Sequence, residues 1–318
     1  MKRRRAFVVG AYLPNGGTLM AYHVGRILEE EFGFAATAVA VGDETPDHGI
    51  HRYDLRMPLV PLARMEGEIT REDVLIVNPS FSSHQFGWRL PGLKISYVQH
   101  FNTFSLLDLK IDHFVAVSDF VGGFLRATYG VESRVIAPFV DLDDLPHALP
   151  WEARPPLAVL SYRKGMPEAR EISWRRLRSI LAERAPQISL AEPLPGSGIA
   201  HRDLLAQLGR FRHFLTLSAT EGFGLVPLEA MAMGAHVIGY DGFGGRQYMR
   251  PGENCSVVPF PQIERVAALL IDATQDPERS ARIAEHARKT ALGYSYARFR
   301  RAWIDELARL PGLARANG

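Results

Sequence analysis

Two carboxylates, Glu221 and Glu229, lie on either side of a glycine-containing loop and the start of a predicted helix, with Glu229 expected in its first turn. Gly222 and Gly224 would let a ligand approach the loop backbone closely, and Pro227 would set the first helical turn. The loop amides and the helix N-terminus favour an anion, and each carboxylate can accept hydrogen bonds from neighbouring hydroxyls. This combination suits a nucleotide diphosphate sugar, although other phosphate ligands fit it nearly as well.

Three further groups of residues could contribute to such a site. Arg163 and Lys164 follow a predicted strand, where their charge would stabilise the negative charge that builds on a departing phosphate. His100 ends another predicted strand, and Gly16 and Gly17 follow the first strand. A lone histidine is usually structural and an Asn-Gly pair is also an ordinary turn, so these two assignments depend on position alone.

Strands and helices must alternate along the chain to position these residues. Short apolar runs bounded by turn residues predict buried parallel strands over residues 6–12, 35–41, 73–78, 94–99, 113–118 and 134–137. Amphipathic segments predict helices over residues 18–31 and 119–129. Strands that alternate with helices predict a doubly wound parallel sheet.

The proline-rich stretch 141–156 interrupts this alternation and predicts a linker between two domains. The alternation then resumes, with strands predicted over residues 157–162, 187–191, 214–218 and 236–240. Helices are predicted over residues 168–184, 201–208, 227–233, 261–274, 277–292 and 296–310. In sheets of this kind ligands bind at the carboxyl ends of the strands.

Composition supports an α/β protein of two domains. The length of 318 residues fits two domains of about 150 residues each, and the net charge of +2 indicates no particular partner. Cys255 is the only cysteine, so an internal disulfide is excluded and a cytoplasmic location is favoured. The basic residues 2–5 predict either a solvated N-terminus or attraction to anionic lipid at the inner face of the membrane.

The segment 218–240 resembles the signature of retaining GT-B glycosyltransferases of the large family 4 type. Four features match: two glutamates eight residues apart, the glycine-phenylalanine-glycine loop, the proline two residues before the second glutamate, and the helix of small residues. The resemblance implies that Glu229 binds the donor ribose. It further implies contacts to the donor sugar and phosphates from Glu221, Gly222, Phe223, Gly224 and Leu225.

Weaker matches extend this resemblance over residues 6–310. In the family a glycine-rich loop near the donor phosphates corresponds to Gly16 and Gly17, and a histidine against the donor sugar corresponds to His100. The loop 241–245 matches a family loop near the sugar.

Basic residues after the first strand of the second domain commonly neutralise the pyrophosphate in this family. Arg163 takes that place here, together with either Lys164 or Arg170. The tyrosine and arginine at this strand end are similar to those of a subgroup that includes bacterial rhamnan-synthesis transferases.

The resemblance implies a GT-B fold, in which two Rossmann-like domains face a central cleft. Residues 1–150 would form the acceptor-side domain, residues 151–295 the donor domain, and residues 296–318 a helix that returns to the first domain. The implied reaction moves a sugar from a nucleotide diphosphate sugar to a hydroxyl acceptor, saccharide, lipid-linked or other, with retention of anomeric configuration. Bacterial glycan or cell-surface polysaccharide synthesis is the implied setting.

We expect no metal, no cofactor beyond the nucleotide-sugar co-substrate and no nucleic-acid partner. Asp141, Asp143 and Asp144 could suggest a metal site, but they fall in the predicted linker. Two alternatives remain open: a GT-B protein that binds a nucleotide sugar or glycan without transfer, and a nucleotide-sugar epimerase on the same fold. The intact glutamate pair argues against the first, and an epimerase would need no acceptor.

Overall fold

The computed structural model describes residues 3–10, 16–42, 57–101, 103–162, 167–191 and 200–313. The chain divides into two compact units, of which the first comprises residues 1–138 and 297–318 and the second residues 139–296. The first unit thus combines both ends of the chain.

The first unit contains a seven-stranded sheet in which every strand pairs in parallel with its neighbours. Its strands are β1 (Arg5–Val9), β2 (Ala35–Ala40), β3 (Leu59–Pro61), β4 (Val74–Val77), β5 (Leu93–Val98), β6 (His113–Ala116) and β7 (Arg134–Val135). Their order is β3-β2-β1-β4-β5-β6-β7. The strand order reverses at β1, and the carboxyl end of such a position is where doubly wound sheets bind ligands.

The helices in the N-terminal part of the first unit are α1 (Gly16–Phe32), α2 (Leu62–Glu68), α3 (Phe86–Arg89) and α4 (Asp119–Tyr129). Local sequence explains the ends of α4. The Ser118 hydroxyl accepts a hydrogen bond from Val121 N at 3.2 Å and so caps the first turn. Gly130 ends the helix with a φ of 66°, a conformation that glycine adopts without cost.

The arginines at the start of the chain contact the first unit. Arg3 donates to the Phe34 carbonyl oxygen at 3.0 Å, and Arg4 donates to the Phe32 carbonyl oxygen at 3.3 Å. Arg5 forms ion pairs with Glu68 at 2.7 Å and Asp73 at 3.1 Å. These contacts give three of the basic N-terminal residues a structural role.

The second unit contains a five-stranded parallel sheet of order β12-β11-β10-β8-β9. Its strands are β8 (Ala158–Tyr162), β9 (Ser189–Leu190), β10 (His213–Thr216), β11 (His236–Tyr240) and β12 (Ser256–Val258). The helices are α5 (Pro167–Arg184), α6 (His201–Leu208), α7 (Leu225–Ala232), α8 (Ile263–Gln275) and α9 (Pro277–Leu292). The strand order reverses between β8 and β10, so this unit also presents a ligand-binding edge at the carboxyl ends of its strands.

One core cluster of the second unit lies between its sheet and the helices α5 and α8. Leu215 and Ile238 on the sheet pack in one buried cluster with Leu177 of α5 and Leu270 of α8. Burying such side chains stabilises the fold by about 1.5–3 kcal/mol each. The carboxyl edge of the sheet is therefore held on a rigid support.

The last helix, α10 (Tyr296–Leu307), lies in the first unit from residue 297 onward. Trp303 is fully buried, and its ring packs nearly perpendicular to that of Tyr97 on β5 with centroids 5.0 Å apart. The Tyr97 hydroxyl donates to the Ile136 carbonyl oxygen at 2.8 Å, and Phe299 packs against His23 on α1. This helix therefore contributes to the core of the first unit.

The stretch that predicted a linker is tied into the second unit instead. Arg154 is buried, and its guanidinium donates to the carbonyl oxygens of Leu149, Phe211, Met233 and Gly234 at 2.8–3.1 Å. Two of these carbonyls lie at the end of α7, where helical carbonyls lack partners within the helix. Residues 139–150 consequently group with the second unit rather than the first.

Several short elements were not predicted. They are β3, α2, α3 and β12, none of which exceeds seven residues. Segments of this length carry too few apolar positions to reveal a period. No helix within the described ranges has the length and apolar content needed to cross a membrane.

Candidate functional site

The loop between β10 and α7 lies at the carboxyl edge of the second sheet and contains Glu221. Gly224 ends this loop with φ 84° and ψ 64°, and no side chain caps the helix that begins at Leu225. A left-handed conformation at that position favours glycine. No side chain therefore caps the backbone amide groups in the first turn of α7. Amide groups of this kind at the start of a helix can bind an anion.

A second loop, between β11 and β12, fixes the backbone at Glu221. The amide of Glu221 donates to the Gly242 carbonyl oxygen at 2.7 Å, and the amide of Gly244 donates to the Glu221 carbonyl oxygen at 3.1 Å. A Cβ atom at Gly244 would lie 2.2 Å from the Gly222 carbonyl oxygen. The two loops are thus in direct backbone contact.

The turn at Phe243 is strained. Its φ of 65° and ψ of −58°, with Gly244 N donating to Gly242 O at 2.8 Å, describe a γ-turn with positive φ, a rare and unfavourable form. The Asp241 carboxylate stabilises this turn by accepting from Phe243 N at 3.0 Å and from Arg246 Nε at 2.7 Å. Strain of this kind is concentrated at functional sites.

An aromatic cluster of Phe223, Tyr248 and Tyr294 supports the glycine loop from inside. The Phe223 centroid lies 5.2 Å from that of Tyr248 and 5.7 Å from that of Tyr294. The Tyr248 hydroxyl donates to the Gly224 carbonyl oxygen, and burial raises the pKa of Tyr248 well above its ordinary value, with the Glu221 charge adding to the effect. The Phe223 ring is thus buried within this cluster.

Glu229 is buried on α7, with 2% of its surface exposed. The helix begins at Leu225, earlier than the sequence pattern predicts, so Glu229 lies in the second turn and the prediction of the first turn is wrong. His201 Nε2 lies 2.7 Å from Glu229 Oε1, and it is the donor because an ionised carboxylate only accepts. The remaining carboxylate oxygen keeps lone pairs that a ligand hydroxyl could use.

His201, which the sequence analysis did not identify as a site residue, begins α6. Burial lowers its pKa, but the hydrogen bond and charge of Glu229 and the charges of Asp141 and Asp144 outweigh that effect and raise it above its ordinary value. Its 28-residue separation from Glu229 belongs to no motif. Sequence spacing therefore offered no signal for this pair.

In the first unit, the predicted site residues lie at the start of α1 and in the segment after β5, and these two places contact each other. Gln99, next to His100, donates through Nε2 to the Gly17 carbonyl oxygen at 2.7 Å. Gly16 and Gly17 form the start of α1. The His100 ring stacks on Phe101 with centroids 5.1 Å apart, and its Nδ1 accepts from Phe101 N at 3.1 Å. The histidine is consequently held at the carboxyl edge of the first sheet.

The predicted phosphate ligands Arg163 and Lys164 lie outside the described residues, as does the side chain of Arg170. The strand that precedes them, β8, ends beside β10, which leads to Glu221. Across the described ranges, no three histidine, cysteine, aspartate or glutamate side chains are grouped as metal ligands would be.

Comparison with solved structures defines the class to which this fold belongs. Anabaena Alr3699/HepE, solved in complex with UDP and glucose, matches 97% of this chain and 100% of its own, with a TM-score of 0.73 at 13% sequence identity. That protein and sucrose-phosphate synthase of Thermosynechococcus elongatus, which also matches with a TM-score of 0.68, have the GT-B fold. The comparison confirms the predicted α/β fold class of GT-B type.

The sequence comparison is specific to the second unit. Residues 198–290 match the family described as "Glycosyl transferases group 1", and this range contains both Glu221 and Glu229. These residues therefore form a glycosyltransferase group 1 domain, and the predicted resemblance is confirmed at this level.

Two curated relatives are also glycosyltransferases. The chain is 32% identical over 100 residues to poly(glycerol-phosphate) alpha-glucosyltransferase of Bacillus subtilis, which is 30% of this chain and 15% of that protein. It is 27% identical over 119 residues to the GtfA subunit of UDP-N-acetylglucosamine--peptide N-acetylglucosaminyltransferase of Streptococcus gordonii, which is 34% of this chain and 22% of that protein. The chain thus spans less than a quarter of the length of either relative.

Proposed function

We propose that this protein transfers a sugar from a nucleotide diphosphate sugar to a hydroxyl acceptor with retention of anomeric configuration. The observation that carries the proposal is the pairing of a fixed glycine loop at Glu221 with the buried carboxylate of Glu229, which lies on the helix that follows the loop. The match of this same segment to glycosyltransferases supports it. The relatives suggest a glycan of the bacterial cell surface as the setting.

Each residue has a distinct role in this proposal. Glu229 accepts hydrogen bonds from the ribose hydroxyls, and the amides from Gly222 to Leu225 bind the diphosphate at the start of α7. Glu221 positions the transferred sugar. Arg163, with Lys164 or Arg170, balances the charge of the departing diphosphate.

The first unit would supply the acceptor side of the reaction. Gly16 and Gly17 would approach the donor phosphates closely, and His100 would contact the transferred sugar. The acceptor is a saccharide, a lipid-linked glycan or another hydroxyl compound. A lipid-linked acceptor would bring the protein to the inner face of the membrane, and the absence of any disulfide partner for the buried Cys255 suits a cytoplasmic location.

Incubation with a panel of nucleotide sugars and candidate acceptors tests the function directly. We expect one donor to release its nucleoside diphosphate only when an acceptor is present, and the anomeric configuration of the product to match that of the donor. Binding without release would indicate a non-catalytic protein. Interconversion of donors without acceptor would indicate an epimerase.

Excess chelator tests the proposed absence of a metal requirement. We expect the initial rate of transfer to stay unchanged after treatment with EDTA, since the charge of the leaving diphosphate is assigned to Arg163 and the α7 amides. Loss of the rate, followed by recovery on addition of magnesium or manganese, would contradict this assignment.

Replacing Glu221 with glutamine should affect turnover more than nucleotide binding. The substitution keeps the shape of the side chain but removes the charge that faces the sugar, so we expect kcat to fall about tenfold while the affinity for the free nucleoside diphosphate is preserved. Steady-state kinetics and calorimetry on the same preparation measure the two effects. An equal loss in kcat and in affinity for the nucleoside diphosphate would show that Glu221 binds the nucleotide instead.

A further inference from the structure

The hydrogen bond between His201 and Glu229 joins the proposed ribose carboxylate to a titratable group. The two atoms are 2.7 Å apart, and only 3% of the Glu229 side chain is exposed against 20% of that of His201. A buried carboxylate is costly unless it is paired. His201 provides this partner and leaves the other carboxylate oxygen for a ligand.

We propose that His201 is a positioning residue for Glu229 and that protonation of His201 strengthens donor binding. The inference rests on the proposed function, since it assigns the ribose to Glu229. A carboxylate held in one rotamer by a neighbour binds a pair of hydroxyls without first losing side-chain freedom. The charged imidazole holds it more firmly than the neutral ring, because charge-assisted hydrogen bonds are the stronger ones.

The charged groups around His201 favour its protonated form. Glu229 faces it from α7, while Asp141 and Asp144 face it from the segment that precedes β8. Arg202, the next residue on α6, pairs with Asp144 at 3.5 Å. The raised pKa of His201 means that the charge is present at low pH and is lost as pH rises through that raised value.

The test measures binding of the nucleoside diphosphate by calorimetry from pH 5.5 to 9, using whichever of UDP, GDP, ADP and dTDP binds the wild type most tightly. His201→Gln keeps a nitrogen donor at about the position of Nε2 but does not titrate. His201→Ala removes the donor. Since the ligand phosphate also titrates in part of this range, the ratio of the variant and wild-type Kd at each pH is the quantity compared.

We expect His201→Ala to bind about tenfold more weakly at pH 6, the loss that removal of one hydrogen bond to a charged group implies. The His201→Gln to wild-type ratio should fall about fivefold from low to high pH, because only the wild type loses a charge. Asp144→Asn, which removes one of the charges that favour protonation, should move the midpoint of the wild-type profile to lower pH. If His201 had only a structural role, the Kd of the wild type and that of each variant would change with pH in the same way.

The possible outcomes distinguish a failure of the role proposed for His201 from a failure of the proposed function. Wild-type protein that binds a nucleoside diphosphate, with a His201→Gln ratio constant across pH, would overturn the inference and leave the proposed function intact. Wild-type protein that binds none of the four ligands at any pH would contradict the proposed function and the inference together. Thermal melting of each variant verifies that it is folded.

Discussion

Replacing Glu229 with alanine is expected to weaken binding of the donor nucleotide by about 2 kcal/mol, which corresponds to about a 30-fold rise in Kd. The ribose hydroxyls would lose a charged acceptor in a site where little water can replace it, since Glu229 is only 2% exposed. His201 would lose its hydrogen bond to Glu229 as well. Calorimetric titration with the nucleoside diphosphate measures the effect without requiring knowledge of the acceptor.

Two further variants make this result specific. Glu229→Gln keeps the shape and one carbonyl acceptor but no charge, so its affinity should fall between those of the wild type and Glu229→Ala. Glu264→Ala removes an exposed glutamate of the same unit, paired with Arg176 on the surface, and should bind as the wild type does. Donor affinity that is unchanged in a folded Glu229→Ala protein would refute the ribose assignment.

The architecture could be predicted from sequence where buried strands supply long apolar runs. Strands such as β5 and β11 are predicted within one residue at each end because residues 95–98 and 237–240 are apolar, aromatic or small. Helix α4 carries both its capping serine and its terminating glycine in the sequence. These are local signals, and they need no knowledge of tertiary contacts.

The parts that could not be predicted depend on tertiary contacts. Residues 141–156 follow a proline-rich pattern that is typical of a linker, yet Arg154 donates to carbonyl oxygens at the end of α7 and in the turn before β10. The side chain of Phe223 lies within a loop motif, but Tyr248 and Tyr294, distant in sequence, decide that it faces the interior. The His201–Glu229 pair also depends on a contact between residues that are distant in sequence.

The geometry of the candidate site likewise depends on a contact between two loops. Glu221 precedes α7, and its position is determined by the strained turn at Phe243 and the hydrogen bonds to Gly242 and Gly244. A strained turn persists only where surrounding structure compensates for it, and here Asp241 and Arg246 provide that compensation. The position of Glu221 should therefore be sensitive to changes in the second loop.

Replacing Gly244 with alanine tests this dependence. The added Cβ atom would lie 2.2 Å from the Gly222 carbonyl oxygen and 2.5 Å from the Glu221 carbonyl oxygen, and backbone atoms can yield only by displacing the loop. A displacement of about 1 Å costs on the order of 100-fold in catalytic efficiency when it misplaces reacting groups. We expect that loss in kcat/KM, with a decrease of about 1–3 kcal/mol in the free energy of unfolding from overpacking.

Gly245→Ala is the matched control, one residue further along the same loop. Its Cβ atom would meet the Met249 sulfur at 2.8 Å, the flexible part of a side chain that can move aside, so kcat/KM should stay within about threefold of the wild type. Denaturant unfolding separates loss of activity from loss of structure. Because the clash at Gly244 involves the backbone of Glu221 and Gly222, full activity of Gly244→Ala would show that the exact position of this loop does not control sugar transfer.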